Sequence, residues 1–282
     1  MFKLSELLEI PTEAELYETV AGHFNDISAD FYGRANRRLL EELAPSGAPR
    51  VLDLACGTGA LALELAKLVP AGRVLGVDIS DKMLGQAQAE AKRLGIANAD
   101  FHQEDIRNFL PGISQEYDLG LCCFALSYLG VDFVLEGFRH ALKPGGQVGI
   151  TTSSLQSLVE WQQVFLQFFM DHQGQIDLKQ IPNVPEMPFS AEDFKKKLER
   201  AGFERVRVVS LIIPLEFDDA EEAATFLISS GWLSNQLFAI TDLKLRKYIV
   251  EWALEKITAL HAGESSIKTQ VEFLVAWNQR PD

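Results

Sequence analysis

The chain has 282 residues, 47% hydrophobic and 10% aromatic, enough apolar material for one large domain or a core with a smaller cap. Lys and Arg total 26 against 40 Asp and Glu, and the net charge of −14 disfavours a phosphate backbone as partner. No apolar run approaches the roughly 20 residues that span a bilayer, and the first 16 residues place acids among leucines, so neither a membrane span nor a signal peptide is expected and the protein reads as cytoplasmic.

Residues 4–44 carry apolar side chains at three- and four-residue steps (Leu16, Val20, Phe24, Ile27, then Phe31, Leu39, Leu43), which predicts two or three helices. They form either a cap across the carboxyl edge of a sheet or a helical layer that simply packs on it. Pro45-Ser46-Gly47 breaks this region from the first strand.

The stretch 51–62, VLDLACGTGALA, predicts a buried strand, a tight Cys56-Gly57-Thr58-Gly59 turn, and a helix with Leu61, Leu65 and Leu68 on one face. Glycine at 57 and 59 opens backbone conformations closed to other residues and lets a ligand lie against the main chain. Open α/β sheets bind nucleosides at such a turn. Residues 73–80 predict a second strand ending at Asp78, 19 residues past Gly59 and near the roughly 20-residue spacing at which an acid meets ribose hydroxyls. A carboxylate there takes both vicinal hydroxyl protons in charge-assisted bonds. The competing role, N-cap of the next helix, already belongs to Ser80.

A helix through Met83, Ala87, Ala91 and Leu94 leads to a short strand, 99–106, ending in acids. Asp105 is placed to accept from an exocyclic purine amine between Ile79 and Ile106, or else is an ordinary turn aspartate. Residues 117–126 form a fourth, central strand, a helix carries Val134, Phe138 and Leu142, and 147–152 form a fifth strand. Five strands alternating with four helices predict a doubly wound parallel sheet. The three cysteines (56, 122, 123) form no CxxC pair or Cys/His cluster, so no metal site and no disulfide framework is expected, only small buried residues in a reducing compartment.

Residues 155–189 depart from this rhythm. A polar stripe (Gln156, Glu160, Gln163, Gln167, Asp171) lies beside Trp161, Phe165, Phe168, Phe169 and Met170, and Pro182, Pro185 and Pro188 come after it. This is an insertion that roofs an apolar substrate through Trp161, Phe165 and Phe169, or a second layer of core. A helix from Ser190 to Ala201, a strand 203–217, helices near 219–230 and 235–261, and a strand 267–277 complete the chain, the last two strands pairing antiparallel at one edge. The expected architecture is thus one α/β domain with a seven-stranded, mostly parallel Rossmann-like sheet: cap 1–48, cofactor core 49–154, insertion 155–189, and C-terminal part 190–282.

The motifs D-x-x-C-G-T-G (53–59), V-D-I-S-x-x-M-L (77–84), the acid at Asp105 and L-K-P-G-G (142–146), in this order, resemble the class I S-adenosylmethionine-dependent methyltransferases. Weaker similarity at 17–21, at 189–227 and in the last strand extends to methyltransferases like those of ubiquinone and menaquinone biosynthesis. Ala55 stands where many relatives have glycine. The resemblance implies S-adenosylmethionine as cofactor and S-adenosylhomocysteine as product. Asp53, Ala55, Cys56, Gly57, Thr58 and Gly59 would line the methionine portion and ribose, and Asp78 would hold the ribose hydroxyls. Ile79, Met83 and Ile106 would enclose the adenine, Asp105 would meet its amine, and the backbone at Cys123 and Phe124 would meet the amino acid end. Tyr17 and Tyr32 are further candidates for contact.

The implied reaction is in-line methyl transfer to a small, partly apolar metabolite, with positioning the main contribution. His23 and His172 are the candidate bases, needed only if the acceptor loses a proton as it attacks. A nicotinamide-dependent oxidoreductase also fits Gly57-x-Gly59-x-x-Ala62, and a cyclase or binding protein would keep the same pocket. Nucleic acid is disfavoured further because 122–125 reads Cys-Cys-Phe-Ala in place of D/N-P-P-Y/F/W.

Overall fold

In a computed structural model, which describes residues 2–172 and 187–278, helices α1 (Leu4–Leu8), α2 (Glu13–Val20) and α3 (Phe24–Leu43) come first, with a 3-10 turn Ala21–His23 before α3. The alternating core is β1 (Arg50–Leu54), α4 (Ala60–Leu68), β2 (Arg73–Asp78), α5 (Asp81–Leu94), β3 (Ala99–Gln103), α6 (Ile106–Phe109), β4 (Tyr117–Cys123), α7 (Leu126–Leu129), α8 (Val131–Ala141) and β5 (Leu142–Ser153). The remaining elements are α9 (Val159–Asp171), α10 (Ala191–Arg200), β6 (Val206–Phe217), α11 (Ala220–Ser229), α12 (Ser234–Phe238), α13 (Leu243–Leu260) and β7 (Ile267–Asn278).

The seven strands lie in the order β3-β2-β1-β4-β5-β7-β6. β1 to β5 pair in parallel and β7 runs antiparallel to β5. The doubly wound, mostly parallel Rossmann-like sheet with an antiparallel end is therefore the observed fold. Its central strands are apolar on both faces because helices cover both: Val51, Leu52, Leu54, Leu121, Cys122, Val148 and Ile150 are all buried. The strand order reverses between β1 and β4, and ligands of open α/β sheets bind outside the strand ends at that reversal.

The chain divides into two compact units. One comprises residues 21–155, 185–211 and 273–282 and holds β1 to β5. The other comprises residues 1–20, 156–184 and 212–272, and β6 and β7 each contribute to both units. In the first unit α3 packs its C-terminal half on the sheet. A Cβ on Gly149 of β5 would lie 2.7 Å from Leu43 and 3.1 Å from Leu39, so the absent side chain is what lets the helix approach. The helix stops at Ala44, which takes a left-handed conformation and returns its N–H to the Leu40 carbonyl.

In the second unit, Arg246 of α13 is fully buried. Its guanidinium donates to the carbonyls of Ile10 (2.5 Å), Pro11 (3.1 Å) and Ile240 (2.8 Å) and lies over the Phe238 ring. Those bonds fix the α1–α2 link to α13, and Ser234 of α12 donates to Glu13 of α2 at 2.6 Å. α9 packs along α13, with Phe168, Ile240 and Ile249 at the centre and Phe165, Phe169 and Trp252 around them.

Three local expectations need correction. The helix expected over 235–261 is two helices, because Asp242 caps a new start by accepting from the Lys244 and Leu245 N–H groups. The fifth strand begins at Leu142 rather than Gln147. There Lys143 reaches Asp118 at 2.9 Å, and Asp118 also accepts from the Arg50 backbone N–H at 2.8 Å. The L-K-P-G-G segment thus stitches the entry ends of β5, β4 and β1, the edge opposite the glycine turn. Finally, the strand expected over 99–106 ends at Gln103, and Asp105 instead caps α6. Pro182 and Pro185 lie outside the described residues.

Candidate functional site

β1 ends level with its neighbours, Leu54 opposite Val77 of β2 and Cys122 of β4. The residues just past those ends therefore converge at one edge. Two of them, Ala55 after β1 and Phe124 after β4, take left-handed backbone (φ +55° and +57°) although neither is glycine. That conformation strains L-residues, and such outliers concentrate where geometry serves a ligand. The glycine expected by resemblance at position 55 would carry no such strain.

The turn itself is held at three points. The Gly57 N–H donates to Asp78 Oδ2 at 2.8 Å, and the Cys56 N–H donates to the Val77 carbonyl at 3.2 Å. The Gly59 N–H closes the turn on the Cys56 carbonyl at 2.9 Å. The two glycines differ in surroundings: a Cβ on Gly57 would meet nothing within 4 Å, whereas one on Gly59 would lie 2.8 Å from Ala87 and from the Phe101 ring. Gly57 thus leaves an open cradle at the edge, and Gly59 lets α4 start against α5 and β3.

Asp53 faces this region from inside β1, 2% exposed, and its Oδ2 has no hydrogen-bond partner among the described residues. Burial first, and the Asp78 charge second, push its carboxyl up to about 8. A buried acid without a protein partner is costly unless protonated or met by a ligand. Asp78 accepts from the Gly57 and Ser80 N–H groups, the latter at 2.9 Å, while Ser80 caps α5 through the Met83 N–H. Each carboxylate oxygen can accept more than one bond.

Around these acids, Ile79 is exposed, Met83 and Ile106 are buried, and Gln103 Nε2 donates to the Ile79 carbonyl at 3.1 Å. Asp105 accepts from the Arg107 N–H at 2.8 Å, and Arg107 also reaches the Tyr128 carbonyl at 2.6 Å. Burial raises all three thiols, Cys123 to about 12, so none of them is an activated nucleophile.

α3 continues past the sheet's interior to this edge. Asn36 receives the Thr151 hydroxyl at 3.3 Å. One helical turn earlier Tyr32 packs on Phe124, centroids 4.3 Å apart, while buried Phe31 and Phe273 lie behind at 4.9 Å from Tyr32 and 4.7 Å from Phe124. At the helix start Asn25 Oδ1 accepts from the Thr58 hydroxyl at 2.6 Å. α3 thus packs on the sheet with its C-terminal half and reaches the glycine turn with its start. Asn25, Asn36, Phe31, Phe273 and Arg107 carry no site signal in the sequence, because they belong to no motif and α3 is polar overall.

The other expected residues fall in the other unit, His23 excepted. His23 closes the 3-10 turn before α3. Tyr17 lies on α2. Trp161 is buried, and half-buried Phe165 and Phe169 pack with Phe168 within the unit. His172 stacks on Phe168, donates from Nδ1 to the Phe168 carbonyl at 2.8 Å, and accepts at Nε2 from the Tyr248 hydroxyl at 2.9 Å.

Taken together, the strand reversal, the glycine turn and the acids at the ends of β1 and β2 define a nucleoside-binding α/β protein. Residues 51–146 match the family described as a methyltransferase domain. The chain is 32% identical to a demethylmenaquinone methyltransferase of Lactococcus lactis over 66% of its own length and 82% of that protein. It is 29% identical to one of Lactobacillus johnsonii over 75% and 93% respectively. The crystal structure of the YcgJ protein of Bacillus subtilis shares the fold, with a TM-score of 0.59 at 17% identity over 89% of this chain and all of that one. The chain belongs to the S-adenosylmethionine-dependent methyltransferase family, and S-adenosylmethionine is its cofactor.

Proposed function

We propose that the protein methylates a small, partly apolar metabolite, with the donor held over the β1–α4 turn. The observation that carries this reading is the buried, unpartnered Asp53 carboxyl beside the open face of Gly57 and the Asp78 carboxylate. In this assignment Asp53, with Ala55 to Gly59, receives the methionine portion, Asp53 giving up its proton to pair with the cofactor's amino group. Asp78, a carboxylate at the end of β2 beside the glycine turn, takes the ribose hydroxyls in charge-assisted bonds. Ile79, Met83 and Ile106 flank the adenine, Asp105 accepts from its amine, and the backbone at Cys123 and Phe124 meets the amino acid end.

The bound cofactor supplies an electrophilic methyl group, so the protein's contribution is alignment and exclusion of water. The half-buried rings of Tyr32 and Phe124, backed by Phe31 and Phe273, support an acceptor with an apolar portion lying beside the donor. Tyr17, Phe165 and Phe169 stay as further candidates for contact, and the burial of Trp161 argues for a packing role there. His23 and His172 are both candidate bases if the acceptor must lose a proton, and His172 is held by the Phe168 carbonyl and the Tyr248 hydroxyl. The acidic net charge supports a small-molecule partner over nucleic acid, and three free cysteines support a cytoplasmic setting. Among the described residues no helix is long and apolar enough to cross a membrane.

Incubation with S-adenosylmethionine labelled in its methyl group and a panel of phenols, amines and activated carbon acids tests the assignment. Label should pass to an extractable acceptor. Tight binding of S-adenosylhomocysteine with no acceptor ever labelled would contradict methyl transfer and favour a non-methylating use of the pocket.

A further inference from the structure

We infer that Asn25 is a positioning residue for the cofactor: its side chain latches the glycine turn through Thr58 and holds it in the binding conformation. The inference rests on the assignment of the cofactor to that turn.

The turn needs such a hold. Gly57 and Gly59 both sit in left-handed backbone and, as glycines, have many other conformations open to them. Gly57 is tied from the β2 side by Asp78, and Gly59 is wedged against Ala87 and Phe101. Between them only Thr58 carries a side chain, and it is 5% exposed although it occupies the tip of a turn at the sheet's edge. Its hydroxyl donates to Asn25 Oδ1 at 2.6 Å across 33 residues of sequence. The turn is therefore pinned at two further points, by Asp78 and by α3.

The latch has a packed mount. α3 is seated by Leu39 and Leu43 over Gly149, by Asn36 on Thr151, and by Phe31 and Tyr32 against Phe273 and Phe124. The 3-10 turn that leads into it packs on α5, the helix capped by Ser80. A hydrogen bond from that frame orders the turn before the ligand arrives, and ordering completed in advance does not weaken binding.

Calorimetric titration of S-adenosylhomocysteine into wild type, N25A, N25D, T58V, T58S and N25A/T58V tests the latch, with the thermal midpoint of each ligand-free variant measured alongside. N25A should weaken binding by about tenfold, the loss expected for one partly buried hydrogen bond. In the T58V background N25A should cost less than about twofold, because the bond it removes is already gone. N25D keeps the acceptor oxygen and T58S keeps the hydroxyl, so both should bind within about threefold of wild type. Should one of N25A and T58V fail to fold, the other carries the test, since each removes the same bond and should weaken binding by about tenfold. Undiminished binding by N25A, an equal loss in both backgrounds, or losses in N25D and T58S as large as in N25A would overturn the latch while leaving the cofactor site in place. Wild type that binds no S-adenosylhomocysteine would overturn the cofactor assignment itself, and the latch with it.

Discussion

Gly57 and Gly59 take similar left-handed backbone, yet an added Cβ would meet open space at one and a packed wall at the other. The same chemical change should therefore fail in two different ways. G57A should cost about 1–2 kcal/mol of stability from the left-handed strain and should weaken S-adenosylhomocysteine binding strongly, because its methyl group fills the cradle. G59A adds overpacking against Ala87 and Phe101, so its cost should rise by about another 1–3 kcal/mol. Chemical denaturation and calorimetry on the two variants separate these effects. Equal stability losses would show that Ala87 and Phe101 give way around the added methyl group at position 59. In sequence both glycines read alike, as places for a ligand against the main chain. Position 59 differs only through residues 87 and 101, contacts that the folded sheet creates.

Among the elements, α3 depends on a residue far from it in sequence. G149A would place a methyl group 2.7 Å from Leu43 and 3.1 Å from Leu39, inside ordinary contact distance, and should cost about 1–3 kcal/mol. Because Tyr32 and Asn25 ride on the same helix, G149A should also loosen S-adenosylhomocysteine binding, although Gly149 lies within β5 and is not among the assigned ligand contacts. A variant with lowered stability but unchanged affinity would mean that the two halves of α3 move independently. The alternating core, β1 to β5 with their helices, is legible in the sequence because buried strands and amphipathic helices have distinct periods. The break between α12 and α13 is not, because Leu237, Ile240 and Leu243 keep three-residue steps across it, and only the Asp242 cap marks the stop. The part α3 plays at the edge is only half legible: its apolar face predicts packing, but the polar contacts of Asn25 and Asn36 follow no period. Over 155–189, the aromatic stripe expected to roof a substrate is, at Phe168, part of the interior of the second unit.

For the whole molecule, Asp53 ties stability to pH. Its carboxyl stands at about 8 in the fold against an ordinary value of 3.8, so the folded protein holds a proton that the unfolded chain releases. That contribution is fully present below about pH 4 and is lost as pH rises to about 8, at a slope of about 1.4 kcal/mol per pH unit in between. D53N, which cannot ionise, should remove this component, so its ligand-free stability relative to wild type should climb between about pH 5 and 8 in denaturation curves. A constant difference would mean that Asp53 is already ionised in the fold. The most direct test of the cofactor site is calorimetric titration of S-adenosylhomocysteine into wild type in buffers of different ionisation enthalpy. If Asp53 ionises to meet the ligand, binding near about pH 6.5 should release about one proton, the release should fade above about pH 8, and affinity should rise with pH toward the same point. D53N should bind weakly and release none. Binding without proton release and at one affinity from about pH 6 to 8, or a response to NADH in place of S-adenosylhomocysteine, would contradict the account.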